Sequence, residues 1–189
     1  MYELNVQKFL RAGLSLESLT KDLGIKVKRH PKHSHLVFLK YDMIDSPMGN
    51  PIVQECRGLM LDEKTNWTVV CHTFSKFFNC HEGHAATIDW DTARSMEKMD
   101  GSLIQVYFNP YSGEWEMTTS GTPDGKCSVN DSGITFCELF WRVWKQLGYS
   151  TDNLDIVKCY AFELMTPYNR VVIPYPVNRI SLLAVRNLA

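Results

Sequence analysis

Residues 97–108, EKMDGSLIQVYF, combine a turn signal with a strand pattern, and this combination allows two interpretations. Asp100-Gly101 beside alternating apolar residues is typical of a β-hairpin, because the tight turn needs positive φ at its central positions. The same letters read Lys98-x-Asp100-Gly101, and a lysine at a strand end can act as a covalent catalyst. The two interpretations are compatible, so both stay open at this point.

A catalytic lysine needs help from its surroundings. Period-two alternation would place Lys98 and Asp100 on one side of the strand end, facing a common pocket. An ordinary lysine, with a pKa of about 10.4, is neutral in roughly one molecule in a few thousand at pH 7, which opposes nucleophilic attack by about 4–5 kcal/mol. Desolvation, a neighbouring cation or a metal ion would reduce that opposition. The hypothesis therefore requires further charged residues near the lysine.

The flanking patterns predict an α+β chain of antiparallel sheets with packed helices. NVQKFLRAGLSLESLTKDLG has helical spacing, with Ser15 as an N-cap and Gly24 as a stop. Strand-like runs and turn signals then alternate, and ARSMEKM, SLIQVYF and GEWEMTTS read as strands, with DEKTN and NPYSG as turns. SGITFCELFWRVWKQLG predicts one amphipathic helix, and YAFELM and RISLLAVRNL predict two later strands.

Length, charge and cysteine content limit the class of protein. The chain has 189 residues, which suits one main domain, and its formal net charge of -1 means that a nucleic acid would need a local basic patch. The six cysteines include no C-x-x-C pair, which argues against a zinc ribbon or a disulfide scaffold. There is no signal-peptide pattern and no apolar run of about 20 residues. We therefore expect a soluble protein of the cytoplasm (the host cytoplasm if it is viral), with no membrane partner.

Four further motifs carry side chains that suit a phosphate site. ECRGLML offers a guanidinium fork beside a glycine, and YAFELM holds an acid inside an apolar strand, which is costly unless it faces a site, a cation or solvent. HTFSKFFNC and TPYNRVVIPY add a lysine and an Asn-Arg pair. Taken alone, the arginine also fits a surface charge, and the two aromatics of SKFFN fit a core. The candidates are Arg57, Lys76, Glu163, Asn169 and Arg170.

The ordered motifs ECRGLML, SKFFN, EKMDGSL, TTSGT, FELMTPYNRVVIPY and ISLLAVR, over roughly residues 55–186, resemble the ATP-dependent RNA ligases of the T4 RNA ligase 1 type. The resemblance implies a nucleotidyltransferase fold, an ATP-grasp-like adenylation domain. It also implies that Lys98 attacks the ATP α-phosphate, forming a lysyl-AMP intermediate, and that AMP passes to an RNA 5′-phosphate. A 3′-hydroxyl then seals the strand, so the expected partner is RNA with 5′-phosphate and 3′-OH ends, often cleaved tRNA under repair.

The resemblance carries roles over to particular positions. Asp100 and Glu163 would lie near the ribose and, through water, near Mg²⁺ or Mn²⁺, because hard oxygen ligands suit these ions. The other carried-over contacts are to nucleotide phosphates and the RNA end. The whole nucleotide- and phosphate-binding set is Arg57, Lys76, Asp100, Gly101, Glu163, Asn169 and Arg170.

Two departures from the family pattern stand out. Ser120 occupies the place in TTSGT where the family commonly has a basic residue, so this phosphate or RNA contact lacks its usual cation. The family's Glu-Gly motif and Lys-x-Lys strand do not follow Arg186. We therefore expect an adenylyltransferase domain that is incomplete at the C-terminus, as an expression fragment, a natural fragment or half of a split enzyme. Residues 1–50 form its N-terminal helical and strand part, and residues 51–189 form its core.

Incompleteness predicts an open sheet edge and exposed apolar surface, and hence self-association or a complementing chain. It also leaves a second interpretation, a catalytically dead ligase-like module that binds nucleotide or RNA ends. A DNA ligase or mRNA guanylyltransferase relative is a third, because both share K-x-D-G. A fourth is a zinc site built from HPKHSH and CHEGH, with histidines 30, 33, 35, 81 and 84 and Cys80.

Overall fold

Two antiparallel sheets and a few helices make up the computed structural model, which describes residues 3–188. The outer ends of the two predicted regions, residues 1–50 and 51–189, lie outside the described residues. The first sheet holds, in spatial order, β1 (Lys26–Arg29), β2 (Leu36–Lys40), β3 (Arg57–Asp62) and β4 (Thr68–Cys71). The second is formed by β5 (Ser102–Asn109), β6 (Glu114–Thr119), β7 (Lys158–Met165) and β8 (Arg179–Asn187), in the order β6-β5-β7-β8. The predicted α+β class is confirmed.

Three short helices cover the outer face of the first sheet: α1 (Asn5–Arg11), α2 (Leu16–Leu23) and α3 (Pro51–Glu55). The predicted ends of α2 are confirmed, because Ser15 Oγ accepts from the Ser18 amide and Gly24 adopts φ 63°. The buried Glu55 carboxylate accepts from the amides of Asn5 and Val6, which satisfies donors at the start of α1. This contact fixes α1 against α3.

Helix α4 (Phe136–Gln146) packs on the outer face of the second sheet. Thr135 and Glu138 form a capping box at its start, and its apolar face buries Phe140 and Trp144 against Ile104 and Phe162. Alternation in β5 and β7 follows from this packing, because even-numbered residues of these strands face the helix and odd-numbered ones face the first sheet. The predicted helix and the last two strands are confirmed.

The inner faces of the two sheets meet in a third core cluster that includes Phe38, Met60 and Tyr107. Gln105, fully buried in β5, connects the sheets by polar contacts: its Nε2 donates to Gly58 O at 2.7 Å and its Oε1 accepts from the Thr73 amide at 3.0 Å. A buried amide must find partners to offset its desolvation, so these bonds fix how β3 sits against β5.

The predicted strand ARSMEKM is wrong. Within residues 3–188 the structure has no strand between the end of β4 at Cys71 and the start of β5 at Ser102. Asp100-Gly101 is therefore not a hairpin turn, and Gly101 does not have positive φ. The segment is largely exposed, with Met96 87% exposed, so it has no buried face, and its alternating pattern does not produce a strand.

No described helix is long and apolar enough to cross a bilayer.

Candidate active site

Three distant parts of the chain meet at one end of the gap between the sheets. Arg57 begins β3, Glu163 lies in β7, and Lys98 lies in the irregular segment that leads into β5. Glu163 is the register partner of Leu103 in β5, so its side chain is on the face turned toward the first sheet. The acid that the sequence placed inside an apolar strand therefore faces the gap between the two sheets.

Glu163 is the electrostatic centre of this group. Burial raises the pKa of its carboxyl group, while a hydrogen bond from the Gly101 amide and the nearby charges of Lys98 and Arg57 act in the opposite direction. Oε1 accepts from the Gly101 amide at 2.9 Å. Both cations thus lie within electrostatic reach of one half-buried carboxylate. In such an arrangement the carboxylate can accept a proton, and the cations can stabilise the negative charge of a phosphate.

Gly101 is required by close packing, since it passes directly over β7. A Cβ at this position would lie 2.3 Å from the Leu164 carbonyl oxygen and 2.9 Å from Met165 Cγ. Only glycine permits this approach of two backbones. The glycine therefore brings the segment of Lys98 within hydrogen-bonding distance of Glu163.

Asp100 connects the Lys98 segment to the loop after β7. Its Oδ2 accepts from the amides of Ile173 and Val172, at 2.6 and 2.7 Å, and these bonds lower the pKa of the carboxyl group. The Asp100 amide donates to Tyr175 Oη at 3.2 Å. Oδ2 is thus the carboxylate oxygen that the backbone amides engage.

Lys98 itself is exposed at the rim of the site. Its charge lowers the carboxyl pKa of both Asp100 and Glu163, so its ammonium group lies near both. The sequence placed Lys98 and Asp100 side by side on a strand end. In the structure they are close for a different reason, because backbone hydrogen bonds to Asp100 hold the irregular segment in place.

The two aromatics of SKFFN form platforms for cations. The Arg57 guanidinium lies over the Phe77 ring, with Cζ 4.9 Å from the centroid, and the Lys76 ammonium lies 4.6 Å from the centroid of Phe78. Phe77 is 58% exposed, so the alternative of two core aromatics is wrong for that residue. Stacking on Phe77 and a hydrogen bond of 3.4 Å from Nη1 to Ser75 O restrict the arginine.

Asn169 and Arg170 differ sharply in their surroundings. Asn169 is buried, and its Nδ2 donates to Leu164 O at 2.7 Å and to Ser102 Oγ at 2.9 Å. It therefore holds the loop after β7 against the start of β5. Arg170 is exposed, and its Nε donates to Val172 O within its own turn, at 3.1 Å. The structure joins Asn169 to the framework of the site and leaves Arg170 on the surface of the loop.

The histidine motifs do not form a metal centre in the described part of the chain. Within residues 3–188, no group of three or more His, Cys, Asp or Glu side chains is arranged to hold a metal ion. His30 instead pairs with Glu116, with Nε2 3.2 Å from Oε2, and stacks on His33. The zinc hypothesis therefore gains no support from the geometry.

Sequence reasoning missed three residues that shape this end of the molecule. Gln105 connects the two sheets, Tyr175 accepts from the Asp100 amide, and Lys40 is half-buried opposite Arg57 in the sheet register. A polar residue in the middle of SLIQVYF and a lysine at the end of LVFLK were the available signals. Tyr175 gave no signal, because its contact depends on how a long loop folds back.

Comparison with known proteins identifies a family. The model of an RNA ligase family, of the T4 RNA ligase 1 type, matches residues 55–188, a region that includes Lys98 and the candidate nucleotide- and phosphate-binding residues. The chain belongs to this family.

Two relatives extend the match toward the N-terminus. A putative bifunctional polynucleotide kinase/RNA ligase of Autographa californica nuclear polyhedrosis virus is 29% identical over 91% of this chain and 26% of its own length. An RNA ligase of Rhodothermus phage RM378 is 28% identical over 97% of this chain and 48% of its own length. The chain thus spans less than half of either relative.

Proposed function

We propose that this chain is the adenylyltransferase domain of an ATP-dependent RNA ligase, with Lys98 as the nucleophile. The observation that carries the proposal is the hydrogen bond from the Gly101 amide to Glu163 Oε1, which brings the Lys98 segment to the half-buried carboxylate whose pKa the charges of Lys98 and Arg57 lower. These residues come from three separate segments, and all three lie inside the region that matches the RNA ligase family. Membership in that family supports the ligase class, and the site supports the lysine mechanism.

The first step uses Lys98 Nζ. The ammonium group gives up its proton, and the Glu163 carboxylate, whose pKa is raised by burial, is the proposed acceptor. Nζ then attacks the α-phosphorus of ATP. A nitrogen–phosphorus bond forms, the bond from the α-phosphorus to the bridging oxygen breaks, and pyrophosphate leaves with the electron pair. Arg57, restrained over Phe77, is suited to stabilise negative charge on the phosphates.

Two further steps consume the lysyl-AMP. An oxygen of the RNA 5′-phosphate attacks the AMP phosphorus, and the bond to Nζ breaks. An RNA 3′-hydroxyl then attacks the activated 5′-phosphate, AMP leaves, and a phosphodiester bond is formed. The proposed partner is accordingly RNA with 5′-phosphate and 3′-OH ends. Lys76, whose ammonium group lies over the Phe78 ring, is the proposed contact to that end.

The acidic residues fit a magnesium ion held through water. Glu163 Oε1 and Asp100 Oδ2 accept backbone hydrogen bonds, so Glu163 Oε2 and Asp100 Oδ1 are the oxygens suited to metal-bound water. Such an ion would neutralise charge on the triphosphate. Mn²⁺ has a similar preference for oxygen ligands and is the proposed substitute.

The proposal extends to the arrangement of the chain. Strands β1 and β2 come from the N-terminal residues 1–50, and β2 pairs with β3 of the core in the same sheet, which supports a single domain. Strand β8 lies at the edge of its sheet and exposes Leu182, Leu183 and Val185. We assign this edge to a complementing segment or chain, or to self-association, because an exposed apolar edge strand favours pairing.

Covalent labelling tests the proposed function. The purified chain is incubated with α-³²P-labelled ATP and MgCl₂, denatured and separated on a gel. We expect label on the wild type and on the control Lys145→Ala, whose lysine is exposed on α4. Lys98→Ala and Lys98→Arg should carry no label, because neither side chain is a primary amine.

Three outcomes would contradict the proposal. Label that persists in Lys98→Ala would exclude this lysine as nucleophile. Protection of the chain by ATP without a covalent adduct would identify a binding module. An adduct formed with GTP and not with ATP would indicate capping chemistry instead.

A further inference from the structure

The geometry points to a phosphate track along the first sheet: Lys26, Lys28, Lys40 and Arg57 hold the sugar-phosphate backbone of an RNA strand that leads to Lys98. This inference rests on the proposed function, because it supplies the strand on which the ligase would act. It concerns three lysines of β1 and β2 that lie outside the region matched by the RNA ligase family.

The register of the sheet aligns these cations. Lys26 pairs with Lys40 across β1 and β2, and Lys40 pairs with Arg57 across β2 and β3. Lys26 and Lys40 are paired in a regular ladder and project to the same face, and Lys28 joins that face because it lies two residues from Lys26. Arg57 pairs with Lys40 across a register shift, and its charge acts on the Lys40 ammonium group. Neighbouring strands are about 4.8 Å apart, so the row crosses roughly 10 Å from Arg57 to the sheet edge.

The lysines surround an open cavity of about 180 Å³, which is lined by Lys26, Lys28, Lys40, Phe38 and Gly121. Gly121 belongs to the loop after β6, so the cavity lies between the two sheets. Lys28 Nζ donates to the Gly121 carbonyl oxygen at 2.8 Å, which fixes its ammonium group at the cavity wall. A Cβ on Gly121 would have Lys40 Nζ as its nearest neighbour, at 3.7 Å.

Positive charge in this cavity is poorly compensated. Burial lowers the pKa of the Lys40 ammonium, and the charges of Lys26, Lys28 and Arg57 lower it further. Asp42 is the neighbouring acid, and it forms an ion pair with Lys26. Within residues 3–188, no carboxylate forms a salt bridge with Lys40. A half-buried cation among cations is unfavourable, and a phosphate in the cavity would relieve both the repulsion and the lost hydration.

The path of the row favours a strand over a single nucleotide. It starts at Arg57, beside Glu163 and near Lys98, and it ends at β1, which is the edge strand of its sheet. The side chain of Lys26 is 62% exposed there. A ligand that follows the whole row must carry repeated phosphates and must continue into solvent. A single-stranded RNA meets both requirements, and its backbone phosphates bind lysine and arginine by charge.

Salt-dependent RNA binding tests the track. The probe is a short single-stranded RNA with a 5′-phosphate and a 3′-fluorophore, titrated by fluorescence anisotropy at several KCl concentrations without ATP. The variants are Lys28→Gln, Lys40→Gln and the double variant, and Lys145→Gln is the control with the same change in net charge. Thermal melting by circular dichroism verifies that each variant folds, and Lys28 is exposed, so Lys28→Gln should melt as the wild type does.

We expect the affinity of the double variant to fall about tenfold or more at low salt, with a slope of log K against log [KCl] shallower by about 0.7 for each lost phosphate contact. Lys145→Gln should bind as the wild type does. A slope that is unchanged in the folded double variant would overturn the track. So would loss of ATP-dependent labelling with unchanged RNA affinity, because the lysines would then serve the nucleotide. A wild type that forms no adduct but binds RNA through Lys28 and Lys40 would refute the proposed function and leave the track standing.

Discussion

The Gly101 amide donates a hydrogen bond of 2.9 Å to Glu163 Oε1, and this bond attaches the Lys98 segment to β7. The lysine lies three residues before the glycine, in a segment that has no strand partner. Its position relative to Arg57 and Glu163 therefore depends on a few backbone contacts rather than on a sheet ladder.

Gly101→Ala should disrupt the site by displacing the backbone of the Lys98 segment. The new Cβ would meet the Leu164 carbonyl oxygen at 2.3 Å, so the segment must move away from β7. We expect a loss of about 1–3 kcal/mol in the free energy of unfolding, the usual cost of overpacking, together with loss of covalent labelling by ATP. Gly83→Ala is the control, because nothing lies within 4 Å of its added Cβ. Urea unfolding gives the stability, and equal curves for the two variants would refute the close approach.

Substitutions of Glu163 should separate its charge from its hydrogen bond. Glu163→Gln keeps an oxygen that can accept from the Gly101 amide, and it removes the carboxylate that Lys98 and Arg57 face. We expect near-normal stability and a rate of adenylylation lower by about 100-fold, as for loss of a general base. Glu163→Ala should also lose about 1–3 kcal/mol of stability, because a partly buried amide loses its acceptor. Wild-type labelling by Glu163→Gln would show that the charge is not used.

Asn169 should behave as a structural residue. Its amide makes buried hydrogen bonds with Leu164 O and Thr166 Oγ1 and a partly buried one with Ser102 Oγ. Asn169→Ala leaves the Leu164 carbonyl and the hydroxyl groups without this partner, and we expect about 1–3 kcal/mol of destabilisation in urea unfolding. Asn153→Ala, at an exposed position, is the matched control and should unfold as the wild type does. Equal stability of the two variants would contradict the assigned contacts.

His72 should make stability depend on pH. Burial, and then the charge of Arg186, lower the pKa of its imidazole to about 3. Its ordinary value is about 6.5, so below that pH the unfolded chain takes up a proton that the folded chain does not. The contribution is fully present above pH 6.5 and is lost as the pH falls toward 3, at about 1.4 kcal/mol per pH unit.

Urea unfolding from pH 8 to pH 4.5 measures this effect. His72→Gln should flatten the dependence below pH 6.5, whereas the control His81→Gln, at an exposed position, should keep it. A His72→Gln profile parallel to that of the wild type would place the titration elsewhere.

Hydrophobic periodicity predicted the elements whose structure is determined by residues close together in sequence. The helix Phe136–Gln146 has a capping box at one end and a glycine beyond the other, and its apolar spacing fits one buried face. The turn DEKTN was found for the same reason, since Asp62 Oδ1 caps the short 3₁₀ helix Glu63–Thr65. In both cases, local hydrogen bonds and one buried face are enough to specify the element.

Periodicity failed between β4 and β5. ARSMEKM alternates like a strand, but alternation has meaning only when one face is buried, and this segment has none. The motif EKMDG was still informative, because its glycine and aspartate are fixed by contacts with β7 and the loop after it. Such contacts join residues far apart in sequence, so no local pattern could give their geometry.

Ser120 stands where the family commonly has a basic residue, and in the folded chain two lysines lie near the same loop. The sequence lacks a basic residue before Gly121, but Lys28 and Lys40 reach the same loop from the other sheet. Sequence motifs align cations by position in the chain. In the folded chain a positive charge can come from a different strand, and its position becomes visible only from the pairing of the strands.

The most direct test of the account is to locate AMP on the chain. The protein is incubated with ATP and MgCl₂ at neutral pH, digested under mildly alkaline conditions that preserve the phosphoramidate, and sequenced by tandem mass spectrometry. The account predicts one AMP group, on Lys98 and on no other lysine. AMP attached to another lysine, or a fully unmodified Lys98 in protein that binds ATP, would contradict it.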